Sequence, residues 1–289
     1  MNIFSGSDDS SNFSLQSLRN STSEFFDSNS MVAKFSFLLL VLLVFVLLLR
    51  ICISIMAYFY SPNGSPHFLD GMQPGNIMKH FVQDPEQTGG GKTTIRSENE
   101  DQGIEFTWSV WLFIDDITAG AGKYRHIFSK GDNPNKVGAD GIIYPNNAPG
   151  LYLAPNTNAL RIQMNTFNDY NEHIDIPDVP LNKWVNVMIR LKNITMDVYI
   201  NGTITQSIEL NGVPKQNYGD VWLCANGGFS GYVSNLWYYD YALGASKIAA
   251  LYKNGPNRKM INNGAIEFEK PDYLSLRWYF YGNENAYNP

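Results

Sequence analysis

The sequence predicts a mainly β protein, an antiparallel β-sandwich, carried behind one N-terminal transmembrane helix. Three observations predict it. Residues 35–49 form an apolar run, FSFLLLVLLVFVLLL, softened only by Ser36. Beyond residue 92, short alternating runs recur about every 8–12 residues between Asn, Gly and Pro turns, the pattern of an all-β domain. The composition is that of a folded chain, with 44% hydrophobic, 14% aromatic and 17% charged residues, which argues against wholesale disorder.

Composition also excludes some functions. A net charge of −6 and a pI near 5.2 speak against a nucleic-acid partner. Two cysteines, Cys52 and Cys224, rule out a disulfide-dense scaffold and a multi-cysteine zinc site. Four histidines leave little material for a His-based metal cluster.

Residues 1–34 read as a disordered polar tail, because the first 30 hold ten serines and no apolar period. Residues 35–59 read as the transmembrane helix. A bilayer core of about 30 Å needs roughly 20 helical residues. Phe35 to Leu49 alone reaches about 22 Å, so the span must take in Arg50 and part of the stretch beyond. Arg50 can snorkel toward the nearer interface, and Tyr58, Phe59 and Tyr60 would form an aromatic belt. Phe35, Leu49, Arg50 and Tyr58 are thus the expected anchor, with a lipid membrane as partner. A cleaved signal peptide is the alternative. It fits less well, since the polar leader is long and no A-x-A site follows. Lys34 and Arg50 flank the two ends, so charge does not orient the span.

Residues 60–91 read as a linker, because SPNGSP, QPG and GGG crowd turn formers together, around a short amphipathic piece near Ile77 to Val82. GGGKTT, Gly89 to Thr94, is no phosphate loop: the position that requires the first glycine is Glu86.

Residues 92–260 carry the strand signals. In Phe106 to Ile114, Phe106, Trp108, Val110, Leu112 and Ile114 share one face, while Trp111 and Phe113 point the other way. Trp184 to Leu191 places Val185, Val187, Ile189 and Leu191 together. Met196, Val198 and Ile200 follow on the next strand. Asn201-Gly202 is a strong hairpin signal, since both turn positions favour φ > 0. Ile204, Ile208 and Leu210 would line the return strand.

Phe229 to Gly255, FSGYVSNLWYYDYALGASKIAALYKNG, resembles the closing segment of laminin-G-like, concanavalin-A-like jelly-roll domains: a Phe-x-Gly turn, a core strand, an Ala-Leu corner, a short helix. FTWSVWLFI, HIFSKGD, GLYLAPNTNALRIQM, NKWVNVMIRL and DVYING stand upstream in the order of that family's strands. The resemblance covers roughly residues 100–255. It implies a jelly-roll sandwich, with Trp111, Trp184, Phe229 and Trp237 between the sheets and Ser246 capping the short helix. It is weak for function, because the fold hosts lectins, adhesion modules, hydrolases and structural proteins.

The resemblance also implies two candidate sites. Trp222, Tyr238, Tyr239 and Tyr241 are candidates for a carbohydrate-stacking platform, against ordinary core or edge packing. Many laminin-G-like domains bind calcium at a sandwich rim. Asp132, Asn133, Asn135 and Asp140 are oxygen ligands of the right kind for Ca, although Pro134 and Lys136 break the EF-hand spacing and a solvated loop is the stronger reading. No catalytic residue is expected. Glycoside hydrolysis needs two carboxylates about 5–9 Å apart, and the E-x-D-x-E strand motif is absent. Glu267 and Glu269 share a face outside the resembling region, and Asp115 and Asp116 are adjacent, so in a strand they diverge. Cys224 reads as a buried thiol.

Residues 261–289 end in YLSLRWYFYG, too apolar for a free tail. This segment either packs as an added strand on the sandwich, the favoured reading, or docks on a partner. The expected function is a non-enzymatic, membrane-anchored interaction module. It would tether a membrane to other proteins of a capsid or surface layer, at a virion membrane or a cell surface, as in membrane-associated minor capsid proteins of large icosahedral DNA viruses. A glycan-binding lectin or adhesin is the alternative, and a divergent glycoside hydrolase a more distant one.

Overall fold

The computed structural model describes residues 31–60, 64–84, 92–101 and 103–261. The chain divides into two compact units, Met1–Ser61 and Pro62–Pro289. Most of the predicted polar tail, Gly89 to Gly91, Glu267, Glu269 and nearly all of the C-terminal aromatic segment lie outside the described residues.

In the first unit, helix α1 spans Met31–Tyr60. No glycine or proline interrupts these 30 residues, which extend about 45 Å. The helix is apolar on all sides, as a membrane span requires, and is long and apolar enough to cross one. It includes residues 31–34, so it begins before the predicted Phe35. Arg50, Ser54 and Tyr58 recur four residues apart, hence on one face, and border a shallow groove with Ile51, Ile55 and Phe59.

The second unit is an antiparallel β-sandwich, as the sequence predicts. Its strands are β1 (His67–Pro74), β2 (Lys79–Phe81), β3 (Glu98–Glu100), β4 (Gly103–Asp116), β5 (Arg125–Gly131), β6 (Asn147–Leu153), β7 (Leu160–Met164), β8 (Glu172–Ile176), β9 (Trp184–Asn193), β10 (Thr195–Ile200), β11 (Thr203–Glu209), β12 (Asp220–Leu223) and β13 (Ser230–Tyr239). One sheet runs β1-β13-β4-β9-β10-β11, with β3 paired to β4; the other runs β2-β12-β5-β6-β7-β8. Helix α2 (Ala245–Asn254) follows the last strand.

Alternation builds the core. Phe106, Trp108, Val110, Leu112 and Ile114 face inward against Val185, Val187, Ile189 and Leu191 of the neighbouring strand and against Ile127, Phe128, Leu151 and Ile162 of the opposite sheet. The central tryptophan is Trp108, whose ring lies 5.5 Å from Phe68, 5.3 Å from Phe128 and 4.9 Å from Tyr238. This corrects part of the expected inter-sheet set. Phe229 is in the core, but Trp111, Trp184 and Trp237 have the opposite parity and lie on the outer face of the first sheet. Trp111 stacks there on Tyr252 of α2 at 5.8 Å.

The β10–β11 hairpin forms as its turn predicts, with Asn201 at φ 53° and Gly202 at φ 77°. A bulge at Val198/Tyr199 breaks the parity of the return strand. Ile208 therefore packs on the core, whereas Ile204 is 50% exposed. The cap of α2 is Gly244 rather than Ser246.

The largest correction concerns the predicted linker, 60–91. Strand β1 is the edge of the first sheet, paired to β13, and β2 is the edge of the second, paired to β12. Phe68, Leu69 and Phe81 are buried in the shared core. The turn formers that suggested a linker have other uses. Gly71, at φ 120°, sits in a register shift between Leu69 and Met72, and Pro74 is the last residue of an edge strand, where a missing N–H is tolerated. Each edge strand is also clipped by a stacked pair across the ladder. His67 lies 3.8 Å from Trp237 and His80 lies 3.7 Å from Trp222, both nearly parallel. The sandwich therefore starts at about residue 64, and residues 61–63 alone separate it from α1.

Candidate ligand-binding site

One end of the sandwich carries an open cavity of about 780 Å³. Three loops build it: residues 117–124 after β4, residues 132–146 after β5, and residues 224–229 after β12, with Pro74 and Asn76 closing one side. Glycine makes the close approach possible. A Cβ on Gly228 would stand 1.9 Å from the carbonyl oxygen of Gly75, and one on Gly231 would stand 1.9 Å from that of Phe113. Both residues also have positive φ.

The loops are held by hydrogen bonds. Arg125 is 4% exposed. It donates to Ile117 O at 2.6 Å and Ala119 O at 3.2 Å, and to Ala154 O. Burial lowers its pKa, but a guanidinium stays protonated in proteins. The Asp116 carboxylate accepts from Thr118 N at 2.7 Å and Thr118 Oγ1 at 2.8 Å, which holds it below the usual carboxylate range. Tyr124 N donates to Asp140 O at 2.7 Å and Asn226 Nδ2 to Pro134 O at 3.3 Å, so the three loops are tied to one another. The Tyr124 ring lies under Arg161, 4.6 Å away, itself paired through two 2.7 Å bonds to Asp175.

What this rim offers a ligand is mixed. Asp115 and Lys123 are exposed charges, Asn76 and Asn226 exposed amides, and Tyr124 and Tyr232 half-buried rings. Among the described residues Asp115 is the single carboxylate in the lining. Such a wall suits a polar, uncharged or zwitterionic molecule with several hydroxyls, held by backbone groups and a ring face.

The sequence-predicted platform does not assemble. Tyr238 is in the inter-sheet core, with its hydroxyl donating to Ile95 O at 3.2 Å. Tyr239 lies on the opposite face, under α2 with Leu243 and Ile248, and burial raises its hydroxyl to about 12. Trp222 is on the other sheet, buried beneath His80, whose Nε2 lies 2.8 Å from Asp220 Oδ2. Tyr241 alone of the four is exposed, at 37%. Adjacent positions on one strand, such as 238 and 239, cannot share a face.

The predicted calcium ligands also diverge. Asp132 Oδ2 lies 3.5 Å from Lys136 Nζ. Asn133 Oδ1 accepts from Asn135 N at 2.9 Å. Asp140 accepts from Tyr144 Oη at 2.8 Å and Ile142 N at 3.1 Å. Among the described residues no group of three or more His, Cys, Asp or Glu side chains could hold a metal. This loop instead covers the outer face of the second sheet. Ile142 and Ile143 are buried, Ile143 N donates to Tyr152 Oη at 3.3 Å, and that hydroxyl donates to Asn147 Oδ1 at 2.8 Å. Cys224 is fully buried, as expected, and its thiol is pushed up by burial.

Sequence reading missed the rim residues Asn76, Lys123, Asn226 and Tyr232, and set Asp115 aside as one of two diverging neighbours. Their signal was present in the small-residue loops TAGAG and NGGFSG, which flank strand ends, but these read equally as turns.

The profile of the Concanavalin A-like lectin/glucanases superfamily matches residues 87–249. No curated protein matches the chain by sequence. Solved structures with a similar fold include the receptor binding domain of botulinum neurotoxin C/D mosaic serotype, at 17% identity and TM-score 0.40, covering 52% of this chain and 36% of that one. The type G receptor binding domain follows at 14% and 0.41, covering 66% and 50%. The serotype D ligand binding domain in complex with N-acetylneuraminic acid matches at 14% and 0.44, covering 66% and 51%. The chain thus spans about half or less of the length of these structures.

Proposed function

Because the chain belongs to the Concanavalin A-like lectin/glucanases superfamily, we propose that it is a membrane-anchored, non-catalytic binding module that takes a carbohydrate in the rim cavity. The observation that carries this is the cavity lining: exposed amides, glycine backbone, tyrosine rings and one carboxylate, Asp115. Glycosidic hydrolysis by a carboxylate pair needs a second one about 5–9 Å from the first. Tyr232 and Tyr124 supply ring faces, and Asn76 and Asn226 supply amides that both donate and accept. Helix α1 supplies the anchor, by length and composition. The tether to a protein layer is a second use of the same anchored module. It rests on the same helix, which is long and apolar enough to cross a membrane.

A glycan array probed with the detergent-solubilised full chain, with and without calcium, tests the reading. Selective binding that Tyr232→Ala abolishes and Tyr241→Ala leaves intact is the expected result. Uniform silence would remove the glycan and leave the tether. Turnover of any bound glycan, lost in Asp115→Asn, would make the chain an enzyme and overturn the reading.

A further inference from the structure

Among the described residues, the outer face of the first sheet is only half covered. Helix α2 lies over Met188 and Tyr239 and over Trp111. Beyond it, one row crosses four strands at a single level. Pro74 on β1 is level with Tyr232 on β13, Tyr232 with Phe113 on β4, and Phe113 with Trp184 on β9. Phe113 lies 6.2 Å from Tyr232 and 5.6 Å from Trp184, ring to ring. All four residues are half-buried. With strands about 4.8 Å apart, the row is about 14 Å long.

The chain's last described residues leave the fold at one end of this row. Met72 N donates to Lys259 O at 2.7 Å, and Ile261 N donates to Met72 O at 2.9 Å, a short parallel bridge on the outer edge of β1. The next rung would need an N–H at residue 74 to reach the Ile261 carbonyl. Pro74 has none. The added strand therefore cannot continue along β1, and the chain departs beside Pro74, where the row begins.

We propose that the C-terminal segment Arg277–Tyr281, sequence RWYFY, lies across this row and completes the outer face of the first sheet. Reach permits it: the 16 residues from Ile261 to Arg277 span up to about 55 Å, and five extended residues cover about 16 Å, close to the length of the row. Chemistry favours it: three aromatic strand positions meet four consecutive aromatic residues, and such ring pairs add to area burial. Charge favours it as well. Asp115 is exposed, at the bulge in β4 two residues beyond Phe113, within reach of a long side chain such as that of Arg277. The proposal rests on other observations than the rim-cavity reading, but Tyr232 and Asp115 belong to both, so a docked segment would cover one side of the cavity and compete with a ligand there.

The test places a photo-cross-linking residue, p-benzoyl-phenylalanine, at Trp278 in the full chain in lipid nanodiscs and maps the products by mass spectrometry. Intramolecular links to peptides containing Phe113, Trp184 or Tyr232 are expected. Adding Trp184→Ser should cut their yield at least fivefold; that site is half-exposed, and unchanged near-ultraviolet dichroism would verify the fold. The map from the chain without this change stands by itself. Links to lipid, to a second copy or to the other sheet, or an absence of links, would overturn the proposal.

Discussion

Helix α1 declares itself in any window of twenty residues, whereas β1 and β2 exist only through their partners in β13 and β12, near the far end of the sandwich. The helix satisfies its backbone internally and needs nothing but apolar side chains. The two strands need a register. Their sequence, HFLDGMQPGNIMKHF, has turn formers in the middle and short, irregular alternation, so it reads as a linker. Yet Phe68 and Leu69 are fully buried and Phe81 nearly so. The comparison teaches that the long apolar helix is legible locally, and that the boundary of the β unit is a tertiary property.

The sharpest way to break this comparison is by deletion. Removing residues 1–60 should leave a domain that unfolds cooperatively, because the described sandwich begins after it. Removing residues 1–91 should abolish cooperative unfolding in a thermal melt, because it takes the edge strand from both sheets. A folded 92–289 fragment would restore the linker reading. Next in size is Phe68→Ala, which should cost about 3–5 kcal/mol in denaturant titrations, as for a buried aromatic. The same truncation at Phe45, on the apolar exterior of α1, should leave the sandwich's stability unchanged.

Acid offers a third handle, on the sheet that β2 extends. His126 is fully buried, and desolvation pushes it down to about 3. Its Nδ1 accepts the Ala225 N–H at 3.0 Å, and Nε2 lies 2.9 Å from Ser129 Oγ. The unfolded chain takes up a proton near 6.5 that the folded chain refuses. Stability is thus full above about pH 6.5 and falls as pH drops toward 3. Chemical denaturation at pH 7 and pH 4 should show His126→Gln losing less than the unsubstituted chain over that interval, whatever its starting stability. A smaller effect, about 1 kcal/mol, is expected for His80→Ala, which removes the stack on Trp222. The smallest is Arg50→Leu. Replacing the one charge inside the apolar span should leave membrane insertion intact or improved, as read by alkaline extraction.

Much of the fold was legible in the sequence. The inward sets on β4 and β9 follow strict alternation over long strands, and Asn201-Gly202 fixes its hairpin by backbone chemistry alone. Tryptophans were harder. Trp108, Trp111 and Trp184 are equally apolar, and their strand parity, not their kind, decides which one fills the core. Trp184 shows this directly: its neighbours Val185 and Val187 face inward, so it cannot. The candidate site was the least legible part. A rim cavity is assembled from loop ends that are far apart in sequence, and its residues, Asn76, Asp115, Lys123 and Asn226, carry no spacing of their own. The aromatic run at Tyr238, Tyr239 and Tyr241 misled because a β-strand sends neighbours to opposite faces.

Amide hydrogen exchange on the full chain in nanodiscs tests the central claim, that the sandwich begins directly behind the helix. The amides of Leu69 and Gln73 should exchange with the same opening free energy as those of Val233 and Leu236 in the partner strand, as members of one cooperative unit. Exchange of residues 67–81 at the rate of an unstructured peptide, while β13 stays protected, would contradict it.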